Sequence, residues 1–389
     1  MKQTNPQTCP PIRTRRPAPD TSAARTAHPT RRTGEEERQL LLLLVIAVAA
    51  LLLTVLAFVA VRNVAFRATE PNAPAGDDIP ELPAETGDSI TTPGSHPFAD
   101  GAVGDVSIPF AGGSKIIDAG SIYSQRAALV DLSSGKVIAS RLADERMYPA
   151  SMTKVMTLIV AVENLPENVS LEHPVVISQA TYDAMYRAGA SGIGLEPGEQ
   201  LTVEALLYLT ILSSDGIAAT ELARYIAGTE AEFVSLMNRK VSSMGLEHTH
   251  FSNPTGLQDE ANYTTCRDMA AILAYAMDMS LCRRVLTATT YNASCTADSG
   301  KTFTYYAANY LLTTLMNKYP GNEPRSLTIT AGKTGYAGTN SGYCLATYAV
   351  DSSGHAYICV TSQAMAGNNL NGYAAVLRDH KWIYDQYAN

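Results

Sequence analysis

Apolar and polar positions follow different patterns in successive stretches of the chain. Leu40–Val61, LLLLLVIAVAALLLTVLAFVAV, holds neither charge nor proline. About 20 such residues cross a bilayer core as a helix, so this run predicts a single transmembrane helix. Residues 62–115 are broken repeatedly by proline, with much Gly, Ala, Asp and Glu. They predict a disordered linker that buries no core. Order begins near Ile116. RAALVDLSSGKVIAS (126–140) reads as two short strands joined at Ser133-Ser134-Gly135. YPASMTKVMTLIVAV (148–162) reads as one helix opening after Pro149 and apolar on nearly every side. Residues 166–320 are mainly helical in pattern, with a break at Ser213–Gly216 inside 202–228. SLTITAGKTGY, GYCLATYAV and HAYICVTSQA then predict an antiparallel meander, its hairpin at 351–354. A last helix covers about 369–387. Strands at both ends around a helical insertion predict an α+β fold: an antiparallel sheet flanked by helices, plus a helical lobe.

Composition narrows the classes. The 389 residues are 46% hydrophobic and 17% charged, with a net charge of −8. No basic face for phosphate binding is implied, so nucleic acid is not an expected partner. The basic residues that do cluster lie in 1–39, ahead of the apolar run, with Arg25, Arg31, Arg32 and Arg38 nearest to it. Lys and Arg mark the cytoplasmic flank. The expected order is therefore a basic cytoplasmic tail (1–39), a signal anchor (40–61), the linker (62–115) and an extracytoplasmic catalytic domain (116–389). A cleaved signal peptide is the rival, but its apolar core usually runs only about 7–15 residues. Cys266, Cys282, Cys295, Cys344 and Cys359 would lie outside, an odd set whose pairing stays open. No Cys/His group has zinc-ligand spacing, and the His248-Thr249-His250 triplet has no third ligand nearby, so no metal is expected.

The 148–162 helix poses a chemical question, because it carries Ser151 and Lys154 with no solvated face. A buried ammonium loses its proton more readily. Positions i and i+3 share a helix face, so Lys154 reaches the Ser151 hydroxyl and activates it as a nucleophile. At a helix N-terminus, free N–H groups are available to an oxyanion. The bland alternative, an N-cap serine beside a surface lysine, conflicts with the absence of any other charge between Ala150 and Val162. SSDG (213–216) sits at the helix break and KTG (333–335) on a late strand. Ser-x-x-Lys, Ser and Lys-Thr-Gly in this order form the signature of penicillin-recognising serine enzymes.

Across 116–389 the chain resembles the D-alanyl-D-alanine carboxypeptidases, the low-molecular-mass penicillin-binding proteins. ALVDLSSGKVIASRLADERMYPASMTKVMT, GLEPGEQLTVEALLYLTILSSDG, MGLEHTHFSNPTGL and ITAGKTGYAGTNSGYCLATY carry the resemblance. It implies a β-lactamase/transpeptidase-like fold and acyl transfer without cofactor. The substrate would be a peptidoglycan stem pentapeptide ending in D-Ala-D-Ala, with β-lactams as covalent inhibitors. Ser151 would be the nucleophile, Lys154 its base and Ser214 a proton relay to the leaving amine. Lys333 would orient Ser214 and attract the substrate carboxylate, which Thr334 would bind. Gly335, Tyr336 and Gly216 would complete the substrate site, and the N–H groups of Ser151 and Tyr336 the oxyanion hole.

The sequence also departs from that family. Its second motif is usually Ser-x-Asn, whereas here Ser214-Asp215-Gly216 lacks the amide, and Tyr336 stands where His is common. Two other readings follow. One is a catalytically weak penicillin- or peptidoglycan-binding protein. The other is a class A-like β-lactamase, which needs a deacylating glutamate, with Glu230, Glu232 and Glu247 as candidates outside the expected context.

Overall fold

The computed structural model describes residues 110, 112, 114–166, 169–316, 327–338, 342–364 and 372–388. The expected anchor and nearly all of the expected linker lie outside these residues. Among the described residues, no helix is long and apolar enough to cross a membrane.

The main sheet contains β1 (Lys115–Ile116), β2 (Arg126–Asp131), β3 (Lys136–Arg141), β8 (Leu327–Tyr336), β9 (Tyr343–Asp351) and β10 (Ala356–Ala364), ordered β1-β3-β2-β10-β9-β8. Every pairing is antiparallel except the two-residue β1, which joins β3 in parallel, a departure from the wholly antiparallel expectation. The 126–141 and 343–364 hairpins form at the turns read from sequence. The helix after Pro149 also forms, as a short 3-10 turn (Ala150–Met152) leading into α1 (Thr153–Glu163).

Most of the remaining helices are capped as their sequences imply. Ser178, Thr202, Asp215, Thr229 and Thr265 each accept a backbone N–H with the side chain, opening α2 (Gln179–Arg187), α3 (Val203–Leu212), α4 (Gly216–Ala227), α5 (Glu230–Ser243) and α6 (Cys266–Asp278). α7 (Ser280–Thr287) follows α6, and α8 (Gly372–Tyr387) closes the chain. Every residue of α1 from Thr153 to Val162 is buried, so it is the central helix of the lobe. It shares one core with α3, α5, α6 and α7 against one sheet face, while α8 covers the other face in a second core.

A second sheet was not evident from the sequence. β4 (Pro174–Val176), β5 (Gln200–Thr202), β6 (Thr290–Thr296) and β7 (Thr302–Ala308) pair in that order within the stretch read as mainly helical. Tyr291, Ala293 and Cys295 on β6 and Phe303, Tyr305 and Ala307 on β7 do face inward in alternation with more exposed residues, a short period-2 signal masked by the helical patterns on either side. β4 and β5 are too short to establish a period.

One irregularity positions the chemistry. The β8–β9 register shifts by one residue between Ile329 and Ala331. Leu327 and Ile329, before the shift, pack in the α8 core, whereas Ala331, after it, packs in the α1 core. Side chains alternate along a strand, so an extra residue exchanges the faces. Without it, Lys333 would point toward α8 and away from the nucleophile helix.

Candidate active site

The nucleophile turn is strained and braced. Ala150 has φ 46°, a left-handed conformation that costs a non-glycine residue on the order of 1–2 kcal/mol. Its restraint comes from 253–257. Asn253 Oδ1 accepts from Thr255 N (3.1 Å), Thr255 Oγ1 (2.9 Å) and Gly256 N (2.7 Å), folding the segment into a tight turn. Gly256 then lies so close that a Cβ on it would sit 1.8 Å from the Ala150 carbonyl oxygen. Cys344 Sγ closes the other side, 3.3 Å from the Pro149 carbonyl oxygen.

Lys154 is 2% exposed. Its Nζ donates to Thr255 O at 2.6 Å and lies 3.3 Å from Ser151 Oγ. Burial lowers its pKa to about 8, against the opposing pull of the Asp215 carboxylate. Across the cleft, Lys333 is 3% exposed, and its Nζ lies 3.0 Å from Ser214 Oγ. Burial and then the Lys154 charge lower Lys333 to about 7, while Cys344 opposes the shift. An ammonium out of water has a desolvation penalty of several kcal/mol. Losing a proton near neutral pH relieves that penalty and creates an amine able to accept one.

These groups share a cleft of about 800 Å³. Ser151, Lys154, Ser214, Lys333, Thr334, Gly335 and Tyr336 all line it, so residues from α1, the α3–α4 turn and β8 converge. Gly216 does not line it. Its N–H donates to Ser191 O at 2.8 Å, and a Cβ there would meet Ala190 Cβ at 2.7 Å. The space for an amide side chain is therefore filled by the 188–193 strap. Ser191 Oγ donates to Ser214 O (2.7 Å) and Ile193 N to Asp215 Oδ2 (2.8 Å), tying that strap to the Ser-Asp-Gly turn. Ser214 has φ 55°, so this turn is also strained.

Strand geometry orients Tyr336. Ala337 N donates to Gly342 O at 3.0 Å, and hydrogen-bonded pairs alternate along an antiparallel ladder. The adjacent Tyr336/Tyr343 pair is then a non-bonded one. The Tyr336 N–H therefore points out of the free edge of β8.

Several contributors were given no role in the site from the sequence: Asn253 and Thr255, the 188–193 strap, the buried Asp215, and Tyr306, Tyr310 and Tyr373 along the cleft. An Asn-x-x-Gly turn signal was present at 253–256. Nothing local links 188–193 to Ser214. Among the described residues lining the cleft there is no aspartate or glutamate. Glu230 and Glu232 open α5 instead, and Glu247 does not line the cleft. Among the described residues, Cys266, Cys282, Cys295, Cys344 and Cys359 are free and buried.

Residues 114–365 match the family model described as D-alanyl-D-alanine carboxypeptidase, Peptidase_S11. The chain belongs to this family. It is 33% identical over 223 residues to the D-alanyl-D-alanine carboxypeptidase DacF of Bacillus subtilis, covering 57% of this chain and 53% of that protein. It is 36% identical over 160 residues to DacC of Escherichia coli, covering 40% of each. The chain thus spans about half or less of the curated relatives it matches. Among solved structures, the Streptomyces K15 DD-transpeptidase superposes with a TM-score of 0.60 at 27% identity, covering 69% of this chain and 98% of that one. Penicillin-binding protein 5 from Haemophilus influenzae gives 0.57 at 25% identity, covering 69% and 72%. The fold is the α+β transpeptidase-like one, and the family is that of bacterial cell-wall peptidases.

Proposed function

We propose that the protein is a serine-type D-Ala-D-Ala carboxypeptidase acting on peptidoglycan stem pentapeptides. The observation that carries this reading is the pairing, across one cleft, of Ser151–Lys154 at 3.3 Å with Ser214–Lys333 at 3.0 Å. Neutral Lys154 takes the Ser151 proton as Oγ attacks the carbonyl between the last two D-alanines. The N–H groups of Ser151 and Tyr336 hold the oxyanion. The terminal D-alanine leaves as its amine receives a proton through Ser214. Water then cleaves the ester on Ser151, releasing the shortened peptide. The substrate carboxylate lies against Lys333 and Thr334. Its negative charge favours the protonated form of Lys333, leaving Lys154 as the neutral partner. No cofactor takes part. β-Lactams acylate Ser151 as mimics of the D-Ala-D-Ala end.

The absence of a carboxylate along the described cleft lining disfavours a class A-like β-lactamase. In the weak-binding-protein reading, acylation would proceed without turnover. The test is incubation of the full chain with a fluorescent penicillin and with a peptide ending in D-Ala-D-Ala. Stable labelling at Ser151 with release of D-alanine is expected. Labelling without release would overturn the carboxypeptidase in favour of the binding protein, and rapid loss of label would indicate a β-lactamase.

The same proposal places Leu40–Val61 across the membrane, with residues 1–39 cytoplasmic and the catalytic domain outside. The uninterrupted apolar run and the arginines before it support this topology. Alkali-resistant membrane association is expected, with residues 1–39 shielded from external protease. Release of the chain by alkali would refute it.

A further inference from the structure

The cleft continues onto a surface that the proposed reaction does not use. β6 and β7 pair along their whole length, from Thr290 opposite Ala308 to Thr296 opposite Thr302. Asn292 and Ser294 on β6, and Thr302, Thr304 and Tyr306 on β7, are exposed. Neither strand carries a single charged side chain. β7 is also an edge strand. Exposed edges are usually protected by charge, proline or a bulge, because unpaired strands recruit other chains. This edge has no charge or proline, and its register with β6 is unbroken.

The same strand runs into the cleft. Tyr306 is 65% exposed and lines it, as do Asn309 and Tyr310 just beyond. The result is a flat lattice of hydroxyls and a carboxamide ending at an exposed aromatic ring. Hydroxyls and amides both donate and accept hydrogen bonds, and a tyrosine offers an apolar face with a polar tip. The two strands carry no charge to steer an acidic or basic partner, the nearest charges being the opposite pair Asp298 and Lys301 in their connecting turn, and their exposed residues include no aliphatic side chain for lipid or an amphipathic helix. Its chemical complement is a neutral ligand rich in hydroxyl and acetamido groups with flat C–H faces, an N-acetylated sugar chain.

We infer that the outward face of β6 and β7, from Thr302 to Tyr306, holds the glycan strand that carries the stem peptide bound in the cleft. This rests on the carboxypeptidase reading. A stem peptide bears its sugar four residues from the scissile carbonyl, a reach of about 13–14 Å when extended. The sugar therefore emerges where the peptide leaves the cleft, and Tyr306, which lines that cleft, joins it to the β6–β7 face.

The test uses the full chain in detergent micelles and insoluble glycan stripped of its peptides. The unsubstituted chain should sediment with this glycan, and Thr304→Lys and Ser294→Lys should each weaken sedimentation by about tenfold or more. Release of D-alanine from a free pentapeptide should be unchanged in both variants, while KM for a glycan-linked pentapeptide should rise. Penicillin labelling at the normal rate identifies a folded variant, and the second substitution substitutes for the first if one fails. A chain that does not sediment, or variants that sediment normally, would overturn the inference. Sedimentation without hydrolysis of either peptide would support the glycan surface and refute the carboxypeptidase.

Discussion

The two serine–lysine pairs look alike in distance but differ in origin. Ser151 and Lys154 are three residues apart, and α1 with its leading turn sets their spacing. Ser214 and Lys333 are 119 residues apart, brought to 3.0 Å by a strained turn, a strap and a bulged strand. Both lysines are buried, and burial lowers both. The nucleophile–base pair therefore takes its spacing from the local helix, while the 253–257 turn braces Ala150 and holds Lys154 Nζ. The second pair depends on the whole domain. The Lys154 charge lowers Lys333, so two ammonium groups in this cleft disfavour each other. An incoming carboxylate relieves that repulsion.

The largest break in this comparison should come from the local pair. Lys154→Ala should slow acylation by a labelled penicillin by about 10³-fold, within the range expected for a general base, while circular dichroism and the melting transition remain those of a folded protein. A normally acylated variant would remove Lys154 from its role. The distant pair should show coupling instead. Ser214→Ala and Lys333→Ala should each reduce release of D-alanine by about 10²-fold, and the double variant by little more than either alone. Multiplying losses would mean that the two act independently.

The shared burial predicts an effect on stability. A lysine whose folded pKa lies near 7 or 8, against 10.5 unfolded, opposes folding below that window. The unfolded state binds more protons between those values, so stability should increase as pH rises from about 7 toward 10.5. Lys333→Met should stabilise the protein at pH 7 by on the order of 1–2 kcal/mol and flatten that rise, measured by urea denaturation. An unchanged slope would show that Lys333 is not the group responsible.

The smallest effect should be on pH dependence. Acylation requires neutral Lys154, so its rate should rise with pH through about 8. Asp215 is the anion that raises Lys154. Asp215→Asn should move this limb to lower pH, since removing an anion destabilises the ammonium. The carboxamide keeps one of the two accepting oxygens: it retains the Ala218 N–H cap of α4 made through Oδ1 and gives up the Ile193 N–H bond made through Oδ2. A limb that stays in place would show that Asp215 only caps α4.

Much of this was legible in the residues themselves, because it depends on short-range chemistry. The order of hairpin, nucleophile helix, helix break and terminal meander follows from periodicity and turn residues. So does the pairing of Ser151 with Lys154, since helical spacing requires neither neighbours nor solvent. The four-stranded sheet was hidden because β4 and β5 are three residues each and the alternation of β6 and β7 is short and flanked by helical patterns. Gly216 was assigned to substrate binding from its motif position, yet packing against Ala190 removes it from the cleft.

The sequence by itself determined the local elements, the buried nucleophile–base pair and the family. Tertiary structure decided which way Lys333 points, because one extra residue between Ile329 and Ala331 exchanges the two faces of β8. It also decided that the 188–193 strap fills the second motif and that Tyr306 carries a neutral strand face to the edge of the cleft. Each of these depends on contacts between residues far apart in the chain, where neither helical nor strand periodicity carries information.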